Sequence, residues 1–224
     1  MLLVLCWLLP ILSVGFVLEG SEMSYAQFRK WYPTANATIE FEFLTSSPSG
    51  ILLYTDDGGY YDFVEVKLVD GAVRLRYNLG NGAVVLTAGR GLNDGLAWHK
   101  VQFVRNFTET TLVVDGTDRV TSGANNLYTP PKGGAASLVP PNPGPGNDIE
   151  FGNFTTNSYV YVGGLPFWYN TKLAMLALPS VVFEPRFKGS VRNLLYAHDE
   201  TGKPKKQEVM AYNVSSCFFG VLFV

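Results

Sequence analysis

Residues 50–79, GILLYTDDGGYYDFVEVKLVDGAVRLRYNL, contain three apolar runs separated by short turns. In the second run Glu65 and Lys67 alternate with β-branched and aromatic residues, which is the period-2 pattern of a strand buried on one face. The third run alternates in the same way between residues 73 and 78. Asp70-Gly71 separates these two runs and favours a tight hairpin, because glycine adopts positive φ without steric cost. The stretch therefore predicts an antiparallel meander whose middle strand is half-buried.

Short runs of the same kind recur along the chain. Residues 39–44 and 98–105 alternate cleanly, and glycine-rich turns separate most runs. At least ten such runs without a convincing helix predict an all-β fold, namely a β-sandwich with large sheets. Residues 122–147 differ because they hold six prolines, which cannot donate to a strand ladder. We interpret that range as an insertion between strands.

Length and charge narrow the function classes. A chain of 224 residues is long enough for one large all-β domain with a sizeable core. The formal net charge is -2, and the only basic run is residues 203–206. Nucleic acid is therefore not an expected partner.

The N-terminus and the glycosylation motifs indicate an extracellular protein. Residues 2–12 are apolar but too short to span a bilayer, and Ser13-Val14-Gly15 suits signal peptidase. We predict that residues 1–15 are a cleaved signal peptide; a buried N-terminal strand is the alternative. The Asn-x-Ser/Thr pattern of N-glycosylation occurs at four positions: Asn36, Asn106, Asn153 and Asn213.

Four blocks of sequence in this order resemble the laminin G (LNS) domain family. They are NDGLAWHKV at 93–101, TLVVDG at 111–116, VGG at 162–164 and FKGSVRNL at 187–194. Residues 54–65 and 182–189 are most similar to the first LNS domain of invertebrate α-neurexins. The resemblance implies a lectin-like jelly-roll β-sandwich over residues 16–200, with the insertion at 122–147 and a tail at 201–224. It also implies an extracellular adhesion receptor at synapses.

The same resemblance implies a calcium site at the rim of the sandwich. LNS domains often hold one Ca2+ through an aspartate, backbone carbonyls and a side-chain amide, a donor set that gives a weak site. The matching positions here are the Asp62 carboxylate, the Leu79 carbonyl and the Asn157 amide. The alternative is a solvated Asp62 that merely begins a strand.

Three further groups of side chains are candidate sites. Phe167, Trp168 and Tyr169 could anchor a protein partner, stack on a sugar, or cover the sandwich edge. Glu40 and Glu42 could form a glycosidase pair, but an alternating strand directs charged residues to solvent in any case. His99 is expected to point outward beside a core Trp98, without a nucleophile or metal cluster around it.

Together these observations predict a non-enzymatic, neurexin-type recognition module that is secreted or faces outward from the cell. Its expected partners are extracellular or cell-surface proteins, bound at the loop rim with the assistance of calcium. A carbohydrate-binding, lectin-like domain is the alternative. Neither a membrane span nor nucleic-acid binding is expected of this chain.

Overall fold

The computed structural model describes residues 15–33, 36–58, 62–79, 83–106, 109–122, 158–169, 181, 183–199 and 201–213. These residues form the following strands: β1 (Gly15–Glu19), β2 (Tyr25–Lys30), β3 (Asn36–Leu44), β4 (Gly50–Asp56), β5 (Phe63–Val69), β6 (Ala72–Asn78), β7 (Val84–Ala88), β8 (His99–Asn106), β9 (Glu109–Val114), β10 (Asp118–Thr121), β11 (Tyr159–Val162), β12 (Lys188–Tyr196), β13 (Lys205–Lys206) and β14 (Ala211–Asn213).

The strands make two sheets whose strand pairs are antiparallel. Sheet 1 has the order β1-β12-β3-β8-β9-β10, with β13 also paired to β12. Sheet 2 has the order β14-β2-β11-β4-β5-β6-β7. The core lies between the sheets and includes alternate residues of β3 and β8 from sheet 1 and of β5 and β6 from sheet 2. Phe103 spans the gap, since its ring contacts Trp31 at 5.7 Å and Tyr77 at 6.0 Å between centroids. The predicted all-β sandwich is confirmed.

The meander β4-β5-β6 forms as the sequence predicts. Residues Asp70 and Gly71 have φ values of 49° and 76°, and the flanking residues Val69 and Ala72 are paired. Both turn residues are thus in the left-handed region that a two-residue hairpin turn requires. The prediction that β5 is half-buried is wrong, because Glu65 is fully buried and Lys67 nearly so.

A third layer explains that burial. Residues 165–169, 181 and 183–186, here called the cover segment, lie against the outer face of sheet 2. Leu165, Tyr169 and Val181 form a separate apolar cluster with side chains of β4, β5 and β11. Backbone contacts secure the far end of the segment, because the Ile51 amide donates to the Pro185 carbonyl at 3.0 Å. The middle strands of sheet 2 are therefore buried on both faces.

The sheets extend beyond the predicted domain boundary at residue 200. Strand β13 pairs with β12 in sheet 1, and β14 pairs with β2 in sheet 2. Between them Gln207 is buried, and its Nε2 donates to the carbonyls of Tyr196 at 2.9 Å and Lys205 at 2.8 Å. At the other end β1 begins at Gly15, one residue before the predicted mature terminus. Residues 1–14 and 123–157 lie outside the described residues.

Candidate functional site

Two of the three predicted calcium ligands meet at one end of sheet 2. Phe63 of β5 pairs with Asn78 of β6, so Asp62 and Leu79 are the next residues beyond that pair. The Asp62 carbonyl accepts a hydrogen bond from the Asp57 amide at 3.0 Å. The third ligand, Asn157, lies outside the described residues. The chain resumes beside it at the same end, because the Ser158 amide donates to the Asp56 carbonyl at 2.8 Å.

The guanidinium of Arg105 interacts electrostatically with Asp62 at this end of the sandwich. Arg105 is a buried residue of β8, and burial lowers the pKa of its guanidinium. The negative charge of Asp62 opposes that shift, as does Tyr77. Within the described ranges no cluster of three or more His, Cys, Asp or Glu side chains is arranged to hold a metal. A calcium ion here would depend on one carboxylate together with carbonyl and amide oxygens, which fits a weak site.

The predicted aromatic cluster divides into an exposed part and a buried part. The side chains of Phe167 and Trp168 are 72% and 58% exposed, whereas Tyr169 is 2% exposed. Tyr169 therefore covers sheet 2 and does not form a contact surface. Sequence reasoning missed Phe183, which lies on the same cover segment and is 83% exposed. The cover segment thus presents large aromatic side chains on a backbone that buried residues hold in place.

Tyr169 binds a buried carboxylate that the sequence did not single out. Its hydroxyl donates to Asp56 Oδ1 at 2.6 Å, the Tyr54 hydroxyl donates to Oδ2 at 3.1 Å, and the Gly58 amide donates to Oδ1 at 2.9 Å. Burial raises the pKa of Asp56, and these hydrogen bonds partly offset the increase. Burial and the charge of Asp56 also raise the pKa of Tyr169, which keeps its hydroxyl a donor. The sequence signal for this contact was that Tyr54 and Asp56, two residues apart on β4, lie on the same face of the strand.

A buried ion-pair cluster ties the other half of the cover segment to β5. Lys67 Nζ lies 2.7 Å from Glu65 Oε1 and 2.8 Å from Glu184 Oε2. Arg76 Nη1 is 3.8 Å from the second oxygen of Glu65. Glu65 is fully buried, so its charge depends on these two cations. Glu184 belongs to the cover segment, and Lys67 therefore joins the two layers.

Glu40 and Glu42 occur on the outer face of β3 and are bound by neighbouring strands. Glu40 contacts Lys100 Nζ at 2.7 Å, and Glu42 contacts Arg192 Nε at 2.7 Å. Burial alone would raise the pKa of Glu42, but hydrogen bonds from Asn193 and Arg192 bring it below its usual range. A glycosidase acid needs a raised pKa. These contacts favour a structural role over the glycosidase alternative.

The orientation predicted for His99 and Trp98 is reversed. His99 is buried beside Phe43, with ring centroids 5.7 Å apart, and Trp98 is only half-buried. The reason is the register of β8, in which His99 has the same parity as the core residues Val101 and Phe103. Nδ1 of His99 lies 2.9 Å from Asp115 Oδ2.

Two of the four glycosylation motifs are at the same end of sheet 1. Asn36 begins β3 and Asn106 ends β8, and both are exposed. Asn213 is the last residue of β14. Asn153 lies outside the described residues.

Comparison with known proteins places this architecture in a family. A family model described as the laminin G domain matches residues 43–199. The chain belongs to the laminin G family. Neurexin 1 of Drosophila melanogaster is 50% identical to this laminin G domain over 206 residues, or 92% of the chain. Neurexin-2 of Homo sapiens is 29% identical over 184 residues, or 80% of the chain. The chain spans 10% and 9% of the length of these two relatives.

Solved structures support the fold. The LG1-3 region of the laminin alpha2 chain has a TM-score of 0.59 and 23% identity, covering 87% of this laminin G domain and 32% of that chain. Domains LG4-5 of the mouse laminin alpha1 chain have a TM-score of 0.61 and 24% identity, covering 93% of this laminin G domain and 46% of that chain. The predicted jelly-roll sandwich and the resemblance to an invertebrate neurexin are confirmed. Family membership supports an extracellular recognition module, and no helix in the described ranges could cross a membrane.

Replacing Lys67 with methionine should strongly destabilise this laminin G domain. The variant leaves Glu65 buried without its nearest cation, which costs about 3–5 kcal/mol in free energy of unfolding. Chemical denaturation measures the loss. The control is Lys100→Met, which removes a half-exposed partner of Glu40 and should cost about 0–1 kcal/mol. Equal losses in the two variants would contradict the buried cluster's role.

Replacing Tyr169 with phenylalanine should raise the pKa of Asp56 further. The tyrosine hydroxyl stabilises the ionised carboxylate, so its removal favours the protonated form. A carboxyl 13C titration by NMR measures the change. Tyr161→Phe is the control, because the Tyr161 hydroxyl is not a donor to Asp56. A pKa of Asp56 that stays constant in Tyr169→Phe would contradict the hydrogen bond.

The carboxyl group of Asp56 makes the stability of the folded domain depend on pH. The folded state holds the Asp56 proton more tightly than the unfolded state, because burial raises its folded pKa. Its contribution to stability is therefore complete below the unfolded pKa and is lost as the pH rises through the folded pKa. Asp56→Asn should remove that loss, so the variant should gain stability relative to wild type over this pH range.

Proposed function

We propose that this chain is an extracellular recognition module of neurexin type that binds a protein partner. The observation that carries the proposal is the exposure of Phe167 and Trp168 on a backbone held by buried Tyr169 and Leu165. Aromatic side chains are enriched among the residues that dominate binding energy in interfaces. Anchoring their backbone in advance reduces the entropy lost on association. Phe183 adds apolar surface to the same segment.

The cellular setting is part of the same proposal. The module acts outside the cell, at synaptic adhesion contacts, either secreted or on the outer cell surface. Similarity to neurexins and the four glycosylation motifs support this location. Residues 1–15 serve as the signal peptide. The module recognises a partner and does not catalyse a reaction, in keeping with the ion pairs that Glu40 and Glu42 form with Lys100 and Arg192.

Binding to live cultured insect neurons tests the partner class. A multimeric form of the secreted domain is applied before and after mild surface proteolysis, and bound protein is measured by flow cytometry. We expect protease to abolish binding and Trp168→Ala to weaken it by about 30-fold, the equivalent of a 2 kcal/mol hot spot. The control is Leu96→Ala, which removes an exposed apolar side chain outside the cover segment and should leave binding unchanged.

The lectin alternative gives the opposite pattern. Binding that survives proteolysis but disappears after enzymatic removal of surface glycans would overturn the protein-partner proposal. Equal binding by Trp168→Ala and wild type would overturn the role of the cover segment.

We also propose that calcium assists recognition at the rim formed by Asp62, Leu79 and Asn157. Calorimetric titration with Ca2+ should give a dissociation constant of about 10⁻⁴–10⁻³ M, as for weak extracellular sites. Asp62→Ala should lose the binding heat, because the one carboxylate is gone. Asp118→Ala, at an exposed position of β10, is the control and should retain it. Equal heats in Asp62→Ala and wild type would rule out this site.

A further inference from the structure

Two predicted glycosylation acceptors that are distant in sequence become direct neighbours in the fold. Asn36, the first residue of β3, and Asn106, the last residue of β8, are partners in the antiparallel ladder of sheet 1. Each begins its own acceptor pattern, Asn36-Ala-Thr38 and Asn106-Phe-Thr108. Strand pairing therefore brings two potential attachment points for branched glycans to one place.

Both side chains also project from the same face. The adjacent residues Ala37 and Arg105 are buried, whereas Asn36 and Asn106 are exposed, so both asparagines lie on the outer face of sheet 1. Opposed residues in an antiparallel pair have Cβ atoms about 4.5–5.5 Å apart. Side chains in strands stand roughly perpendicular to the sheet, so the two amide nitrogens point in similar directions. A pyranose ring with its substituents is about as wide as that spacing, and an N-glycan branches beyond it.

We propose that Asn36 and Asn106 form one glycosylation patch, which carries a single N-glycan, on one asparagine or the other, in the secreted, folded domain. Glycan transfer to an unfolded chain can modify both asparagines. A doubly modified chain must then place two glycans side by side to pair β3 with β8, two central strands of sheet 1. Such chains fold poorly and are depleted from the secreted material. The inference rests on the proposed extracellular location.

Site-specific glycan occupancy tests the proposal. The chain is expressed in insect cells behind a heterologous cleavable leader, so that entry into the secretory pathway does not depend on residues 1–15. Glycans are released with an enzyme that converts each occupied asparagine to aspartate, and peptides are quantified by mass spectrometry. Intact masses of secreted wild type should show one glycan at the pair, so that the occupancies of Asn36 and Asn106 are complementary. Asn36→Gln should raise the occupancy of Asn106, and Asn106→Gln should raise the occupancy of Asn36.

Two controls separate glycan crowding from effects on folding. Thr38→Val destroys the acceptor pattern but keeps the asparagine, and it should raise Asn106 occupancy as Asn36→Gln does. Occupancy of Asn213, in sheet 2, should stay constant throughout. Intact masses of secreted wild type with both Asn36 and Asn106 occupied would overturn the proposal. It would also be overturned if the occupancy of Asn106 stayed constant when the Asn36 site is removed. Neither result tests the proposed recognition function. The heterologous leader directs export whether or not residues 1–15 act as a signal peptide.

Discussion

Burial of two carboxylates on the outer face of sheet 2 is the constraint on which the rest of the structure depends. Asp56 and Glu65 are both fully shielded from solvent, and a buried carboxylate must find donors or a cation. Tyr169 donates to Asp56, and Lys67 links Glu65 to Glu184. Because Tyr169 and Glu184 belong to the cover segment, that segment has to lie on this face. The sandwich consequently has three layers here.

The same contacts connect stability with recognition. Tyr169 and Leu165 point into sheet 2, which leaves their neighbours Phe167 and Trp168 directed to solvent on a fixed backbone. Exposed aromatic residues on a loose loop would lose conformational entropy when a partner binds. Folding has already fixed the backbone of the cover segment, so less conformational entropy is lost when a partner binds. The buried polar contacts thus prepare the surface that we assign to the partner.

The sequence predicted features that depend on local patterning and missed those that depend on distant packing. Alternation in β3 and β8 and the turn at Asp70-Gly71 were sufficient for the sandwich and its meander. Alternation at Glu65 and Lys67 shows only that one face is polar, and the covering layer comes from residues far along the chain. The family resemblance predicts Asp62 as the rim aspartate, although Asp56 is the more deeply buried carboxylate. The neighbouring positions of Asn36 and Asn106 follow from pairing between strands that are not consecutive.

The path of the chain after β12 has a mechanical consequence. This part of the chain adheres first to one sheet through β13 and then to the other through β14. Tension applied beyond Asn213 would be borne first by the three residue pairs of β14 and then by the two pairs of β13. Both are short strands, and neither lies in the middle of a sheet. Under load the end of the chain would detach from the sandwich in two stages, β14 before β13.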